Sequence, residues 1–215
     1  NDKSIYNTIN DDRIEIVYEK DIIKRDFAND YYKEVRNNFE WMIYCDVDEF
    51  ITTKRNFNKT IREELITTFK DVDCIMIPWV MMSCNGIEKN PKSVLEENVY
   101  RWNHDEHHIS RVYKFRCRYE KIEVKCIFKS KKFTSIWDHH PKGYWKRNPN
   151  VVESIRGSKY KMGQFYRDLR EEDIKVGYLL CYHYRIISWE NSINKIRTNI
   201  WYNKNNYNIK WLMKT

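Results

Sequence analysis

Apolar residues recur along this chain in short runs set between polar stretches, and their spacing changes from segment to segment. Between Arg13 and Tyr18, Ile14, Ile16 and Tyr18 alternate with polar or outward positions, which predicts a strand. From Asp21 to Asn38, Ile23, Phe27, Tyr31 and Val35 advance by four, the stripe of an amphipathic helix laid on a sheet. Trp41 to Cys45 is a nearly uninterrupted apolar and aromatic run, which predicts a strand buried on both faces. A helix is expected over Thr60–Phe69, with Thr60 and Glu63 in capping-box positions and Ile61, Leu65 and Phe69 inward. Asp73–Met82 reads as a further strand, in which Pro78 predicts a bulge, an edge or a bend, and Ser83–Gly86 as a turn. Pro91–Trp102 reads as a short helix with Ser93 and Glu96 in capping positions. Glu123–Ser130 and Lys132–Trp137 read as two strands joined by a tight basic turn. Val176–Tyr182 is a second buried strand, and Ser188 opens a helix to about Ile200 with Ile193, Ile196 and Ile200 inward. No internal repeat is visible, and residues 201–215 form a polar tail.

The chemistry concentrates where the Trp41–Cys45 run stops, because Asp46, Asp48 and Glu49 follow at once. In open α/β sheets ligands bind outside the carboxyl ends of strands, where side chains converge without disturbing the core. Residues two apart on an extended chain share a side and lie about 6.6 Å apart. Two carboxylates so placed repel each other unless a cation is near, and a hard divalent ion is the usual solution. Asp48, nearer the loop, is the expected direct ligand, and Asp46 the one acting through water or a ligand hydroxyl. A bare Asp-x-Asp also reads as a solvated strand end or a helix cap.

Composition narrows the class. The 215 residues suffice for one domain with a full core, expected here over 1–215. Lys and Arg number 39 against 31 Asp and Glu, a net +8 that attracts anions. These cations are spread along the chain and interrupted by acids, so no nucleic-acid partner is expected. Six scattered cysteines without a Cys-x-x-Cys pair suit reduced thiols, and a cytoplasmic location is expected. No apolar run approaches the roughly 18 residues that span a membrane. The chain opens with Asn1 rather than Met, as a fragment would.

The stretch Trp41 to Ile51 resembles the Asp-x-Asp signature of GT-A glycosyltransferases, and its extended form Asp-Val-Asp-Glu-Phe-Ile looks like glycosyltransferase family 92 and its family 2-like relatives. Three later blocks are similar to that family in the same order. They are Pro78-Trp79 through Asn85-Gly86 to Pro91, Lys125–Lys129 followed by His140-Pro141, and His183-Tyr184-Arg185 through Ser188-Trp189-Glu190 to Lys195. Cys126 stands where the family usually has Ser. The opening Asn1–Ser4 looks like a turn of the donor pocket, which would place the first strand upstream.

The resemblance implies an α/β fold of GT-A (Rossmann-like) type, a mixed, mostly parallel sheet flanked by helices. It implies a metal-dependent hexosyltransferase that moves a sugar from a nucleotide-diphosphate sugar, UDP-sugar favoured, to a hydroxyl of a glycan or glycoprotein acceptor, with inversion. Mn²⁺ or Mg²⁺ would sit on Asp46, Asp48 and His183. Asp2, Asp46, Lys125, His140 and Arg185 would bind the donor, and Trp79 and Asn85 the acceptor. Asp138, at a strand end beside two histidines, is the candidate base. His104, His107 and His108 read as loop residues rather than a metal cluster, and Tyr113–Arg118 as an edge strand or a basic groove. Two other readings stay open on the residues alone: a Mg²⁺-dependent nuclease or phosphoryl-transfer enzyme, and a non-catalytic glycan-binding module.

Overall fold

The strand β3 (Cys74–Met81) is buried along its whole length, and its composition allows it: Cys-Ile-Met-Ile-Pro-Trp-Val-Met brings no charge to either face. The computed structural model describes residues 9–17, 24–105, 117–118, 121–145 and 148–198. In it β3 is the middle strand of a sheet path that runs β1 (Trp41–Ile43), β5 (Lys121–Lys129), β3, β10 (Leu179–His183), β2 (Glu49–Thr53). Three short strands extend this sheet to 8: β4 (Cys117–Arg118) and β9 (Phe165–Tyr166) pair with β5, and β8 (Val151–Glu153) pairs with β3. A separate hairpin joins β6 (Phe133–Ile136) and β7 (Pro141–Tyr144).

The fold is mixed α/β, but the expectation of a mostly parallel sheet is corrected. Only β3–β8 and β3–β10 are parallel among these pairings; the rest are antiparallel. Parallel pairs need long crossovers, usually helical. The described helices are few and mostly short: α1 (Lys24–Val35), α2 (Ile61–Ile66), α3 (Val94–Glu97), α4 (Glu171–Val176) and α5 (Trp189–Thr198). Pro78 sits where β3 changes partners. Cys74–Met76 pair with β8 and Trp79–Met81 with β10, so the proline that cannot donate to a ladder occupies the gap between two.

Several local expectations hold. Thr60 and Glu63 close their capping box, with Glu63 N–H donating to Thr60 Oγ1 at 3.2 Å and Thr60 N–H to Glu63 Oε2 at 2.6 Å. Ser188 caps α5, accepting from Asn191 N–H at 2.9 Å. Other expectations are corrected. Residues 13–17 form no strand and leave Ile14 and Val17 exposed; among the described residues no strand pairs with them. The strand β1 is a three-residue strand paired, among the described strands, with β5 alone, and Ile43 is exposed rather than buried on both faces. Tyr44 and Cys45 already belong to the turn that follows. The helix expected over Pro91–Trp102 shrinks to α3, whose Ser93 makes no side-chain cap; Glu97 Oε1 instead takes the N–H groups of Lys92 and Ser93 at 2.7 and 3.0 Å.

The strands β5 and β6 do not form the expected hairpin, and α1 explains why. Tyr32 Oη donates to the carbonyls of Ser130 and Phe133 at 2.6 and 3.0 Å, and Ser130 Oγ donates to Arg36 O at 2.7 Å. These bonds pull the 3₁₀ turn Ser130–Lys132 onto the helix and direct β6 away to β7. The tail, Ile200, Asp2, His107, His108 and Tyr113–Arg116 lie outside the described residues.

The turn after β8 is built on a buried carboxylate. Glu153 accepts from Ile155 N–H at 2.7 Å, from Arg156 N–H at 3.0 Å, and from the N–H and Oγ of Ser158 at 2.9 and 2.6 Å. Glu153→Ala strands these donors, and unsatisfied buried polar groups cost about 1–3 kcal/mol each. Urea denaturation should show a loss of at least about 2 kcal/mol with an unchanged slope.

Candidate active site

Sheet register decides which side chains meet. The antiparallel ladder of β10 and β2 sets His183 opposite Glu49, and the parallel ladder of β10 and β3 sets it beside Met81. Directly before β2 the chain turns tightly: Glu49 N–H donates to Asp46 O at 3.1 Å, and Asp46 N–H to Glu49 Oε2 at 2.8 Å. Tyr184 N–H donates to Asp48 O at 2.8 Å, so the turn is stitched to the end of β10. As a result Asp48 Oδ1 lies 3.7 Å from His183 Nε2.

Lys125 enters from β5 on the other side. Its side chain is 1% exposed, and Nζ reaches Asp46 Oδ2 at 3.0 Å, Glu49 Oε2 at 3.1 Å and the carbonyl of Asp138 at 2.8 Å. Burial alone would lower its pKa, but the carboxylates of Glu49 and Asp46 outweigh it and raise the group to about 12. Lys125 is a charged ammonium. Burial also pushes the Glu49 carboxyl up, against the pull of that ammonium, and raises the Cys45 thiol to about 12 beside Glu49.

The opposite wall is aromatic and neutral. His183 is buried, and that burial, aided by the positive charges of Arg185, Lys195 and Lys125, holds its pKa well below 6.5. Trp79 packs against His183 at a ring distance of 4.1 Å and against His139 at 5.5 Å. With both neighbours in place Trp79 is 5% exposed, so it lines the site as a core aromatic and presents no open face to a sugar. His139 Nδ1 lies 3.1 Å from Val124 O, which assigns the proton to Nδ1 of a ring that burial keeps neutral. Its Nε2 lies 3.6 Å from the buried carboxylate of Glu123. From α5, Lys195 Nζ reaches Asp48 Oδ2 at 3.4 Å and donates to the carbonyl of Arg185.

The structure thus gathers Asp46, Asp48, Lys125, His183 and, through its carbonyl, Asp138. Arg185 is buried at the site's edge, while His140 is half-buried with Nδ1 2.9 Å from Pro141 O. Asn85 stands apart, exposed in its turn with φ 42°. His104, read as a loop residue, is buried, its N–H donating to Glu171 Oε1 at 2.7 Å. Sequence reading did not single out Glu49, His139, Glu123 and Lys195 for the site. Glu123 and Lys125 carried a signal, two charges two residues apart inside an otherwise apolar strand, which a buried sheet tolerates only when they are paired.

A divalent cation can be tested against this donor set. Among the described residues no three His, Cys, Asp or Glu side chains converge closely enough to enclose an ion by themselves. Of the three expected ligands, Asp48 and His183 face one another, and Asp46 turns to Lys125. An imidazole kept neutral by burial beside a half-exposed carboxylate is the chemistry an oxygen- and nitrogen-binding ion requires, with the remaining positions left to ligand oxygens. The pair fits such an ion.

Two outcomes are expected. Lys125→Met leaves Glu49 buried without its counter-charge, a change that costs about 3–5 kcal/mol, and Glu49→Leu in the same chain recovers part of that loss in urea denaturation. Because His139 and His183 are held neutral in the folded state, the unfolded chain binds protons that the folded one does not as pH falls below about 6.5. Stability therefore falls from about pH 7 to about pH 5.5, and His139→Gln flattens that slope in thermal melts.

No curated protein matches this chain. A family model described as glycosyltransferase family 92 matches residues 28–211, a span that holds every site residue named above except Asp2. The chain belongs to glycosyltransferase family 92, and it is a glycosyltransferase.

Proposed function

We propose that this glycosyltransferase takes a sugar from a nucleotide-diphosphate sugar, UDP-sugar favoured, and passes it with inversion to a hydroxyl of a glycan acceptor in a GT-A type site. The observation that carries this reading is the neutral, buried His183 facing Asp48 at 3.7 Å, next to the ammonium groups of Lys125 and Lys195. Asp48 and His183 would hold Mn²⁺ or Mg²⁺. When bound, such an ion neutralises charge on the leaving diphosphate.

The chain's own residues supply the rest. Lys125 keeps Asp46 turned inward and adds a fixed positive charge where a diphosphate would gather negative charge, an interaction strengthened because the ammonium is already desolvated. Lys195 bridges Asp48 and the Arg185 carbonyl, so it stands ready to exchange a carboxylate for a phosphate oxygen. Asp138 would take the proton from the acceptor hydroxyl as it attacks. Asp2, His140 and Arg185 would contact the donor, and Asn85 the acceptor, with Trp79 shaping the wall between His183 and His139.

Calorimetric titration of UDP, GDP and a UDP-sugar, with and without Mn²⁺, into the wild-type chain and Asp48→Asn tests this. One nucleotide should bind only with Mn²⁺ and lose at least about tenfold in affinity in the variant. Nucleotide binding that ignores both the ion and the substitution would overturn the Asp48–His183 assignment.

A further inference from the structure

A cavity of about 580 Å³ opens around β9 and the start of β5. Its described lining comprises Lys121, Lys159, Lys161 and Arg167, together with Tyr160, Met162, Gly163, Gln164 and Phe165. No carboxylate is among them. Four cations around one concavity repel each other and are stabilised by an anion, so the cavity is electrostatically complementary to a negatively charged group.

Its aromatic side is ordered by specific contacts. Lys121 Nζ lies 4.2 Å above the Phe165 ring, which fixes that ammonium at the rim. Tyr160 stacks on the buried Tyr166 at 5.3 Å with 18° between planes, and its Oη accepts from Arg167 N–H at 3.1 Å. Gln164 is held at both ends, its carbonyl accepting from Val124 N–H at 3.1 Å and its Nε2 donating to Glu123 Oε1 at 2.8 Å. Glu123 also lies 3.6 Å from His139, which packs on Trp79. A chain of contacts through Glu123 and His139 therefore links the cavity's Gln164 to Trp79 of the candidate active site. Lys121 and Lys125 are four residues apart on β5, about 13 Å at 3.3 Å per residue.

We infer that this cavity is the acceptor subsite for an acidic glycan, the cations taking its carboxylate or sulfate and the rings of Tyr160 and Phe165 the apolar faces of its sugars. A free phosphate would find the cations but leave the rings unused. The proposed donor site takes its diphosphate at Lys125 and Lys195, neither of which lines this cavity. The inference rests on the proposed donor site only for its direction of use, since acceptor binding here needs neither metal nor nucleotide.

The test is calorimetric titration, at low and moderate salt and without nucleotide, of a hyaluronan tetrasaccharide, a heparin-derived tetrasaccharide, chitotetraose and orthophosphate. The probes go into the wild-type chain and into a Lys121→Gln, Lys161→Gln, Arg167→Gln variant. The two acidic tetrasaccharides should bind at least about tenfold more tightly than chitotetraose, and the variant should lose that advantage, as several screened charge contacts acting together would require. Equal affinity for chitotetraose, unchanged binding of the acidic probes by the variant, or orthophosphate competing mole for mole would each overturn the inference. Circular dichroism and titration with UDP and Mn²⁺ on the same variant show whether it is folded and whether the donor site survives. A chain that binds acidic tetrasaccharides but no nucleotide keeps this inference while sinking the donor assignment.

Discussion

A buried lysine ammonium must be satisfied on every side, and the way Lys125 is satisfied organises the site. Its three partners come from parts of the chain distant from it: the Asp46 carboxylate from the turn before β2, the Glu49 carboxylate from the first residue of β2, and the Asp138 carbonyl from the loop between β6 and β7. A solvent-exposed lysine would gain little from such contacts. Here water is excluded, and withdrawing any one partner leaves charge stranded in a low-dielectric interior. The ion cluster therefore fixes the relative placement of β5, the acidic turn and the Asp138 loop more firmly than their few backbone contacts do.

That placement separates the two aspartates, which share a sequence motif but not an environment. Both are partly exposed, but Asp46 is committed to Lys125, whereas Asp48 meets His183 and Lys195. Burial lowers the pKa of both bases, but with different outcomes. At Lys125 the surrounding carboxylates outweigh it and keep the ammonium charged, whereas at His183 burial dominates and nearby cations add to it, keeping the ring neutral. A neutral imidazole and a charged ammonium thus sit within one small site.

Much of the local structure was legible in sequence. The capping box at Thr60, the cap at Ser188, the fully apolar β3 and the strand ending in His183 depend on interactions within a few residues, and their patterns survive folding. Partnerships were not legible. Trp41–Ile43 looked like a central strand because apolar runs do not tell an edge from a middle, and β5 and β6 looked like a hairpin because their separation suits one. Tyr32 on α1 decided otherwise, through bonds to residues about a hundred positions away. Trp79, expected at the acceptor, is packed against His183 and His139, residues far from it in the chain.

By itself the sequence determined that the chain belongs with glycosyltransferases, because short motifs in a fixed order carry the resemblance, and it pointed to Asp46 and Asp48 as candidate site residues. It also determined the mixed α/β class, since periods of two and of about four alternate along the chain. Only the tertiary structure decided that the sheet is mainly antiparallel, that Lys125 neutralises Asp46 and Glu49, and that His183 meets Asp48. It alone brought Lys121, Gln164 and Arg167 around one cavity. The placement of Glu49, Lys121, Lys125 and His183 depends on strand register, and a shift of one residue would turn those side chains to the other face of the sheet.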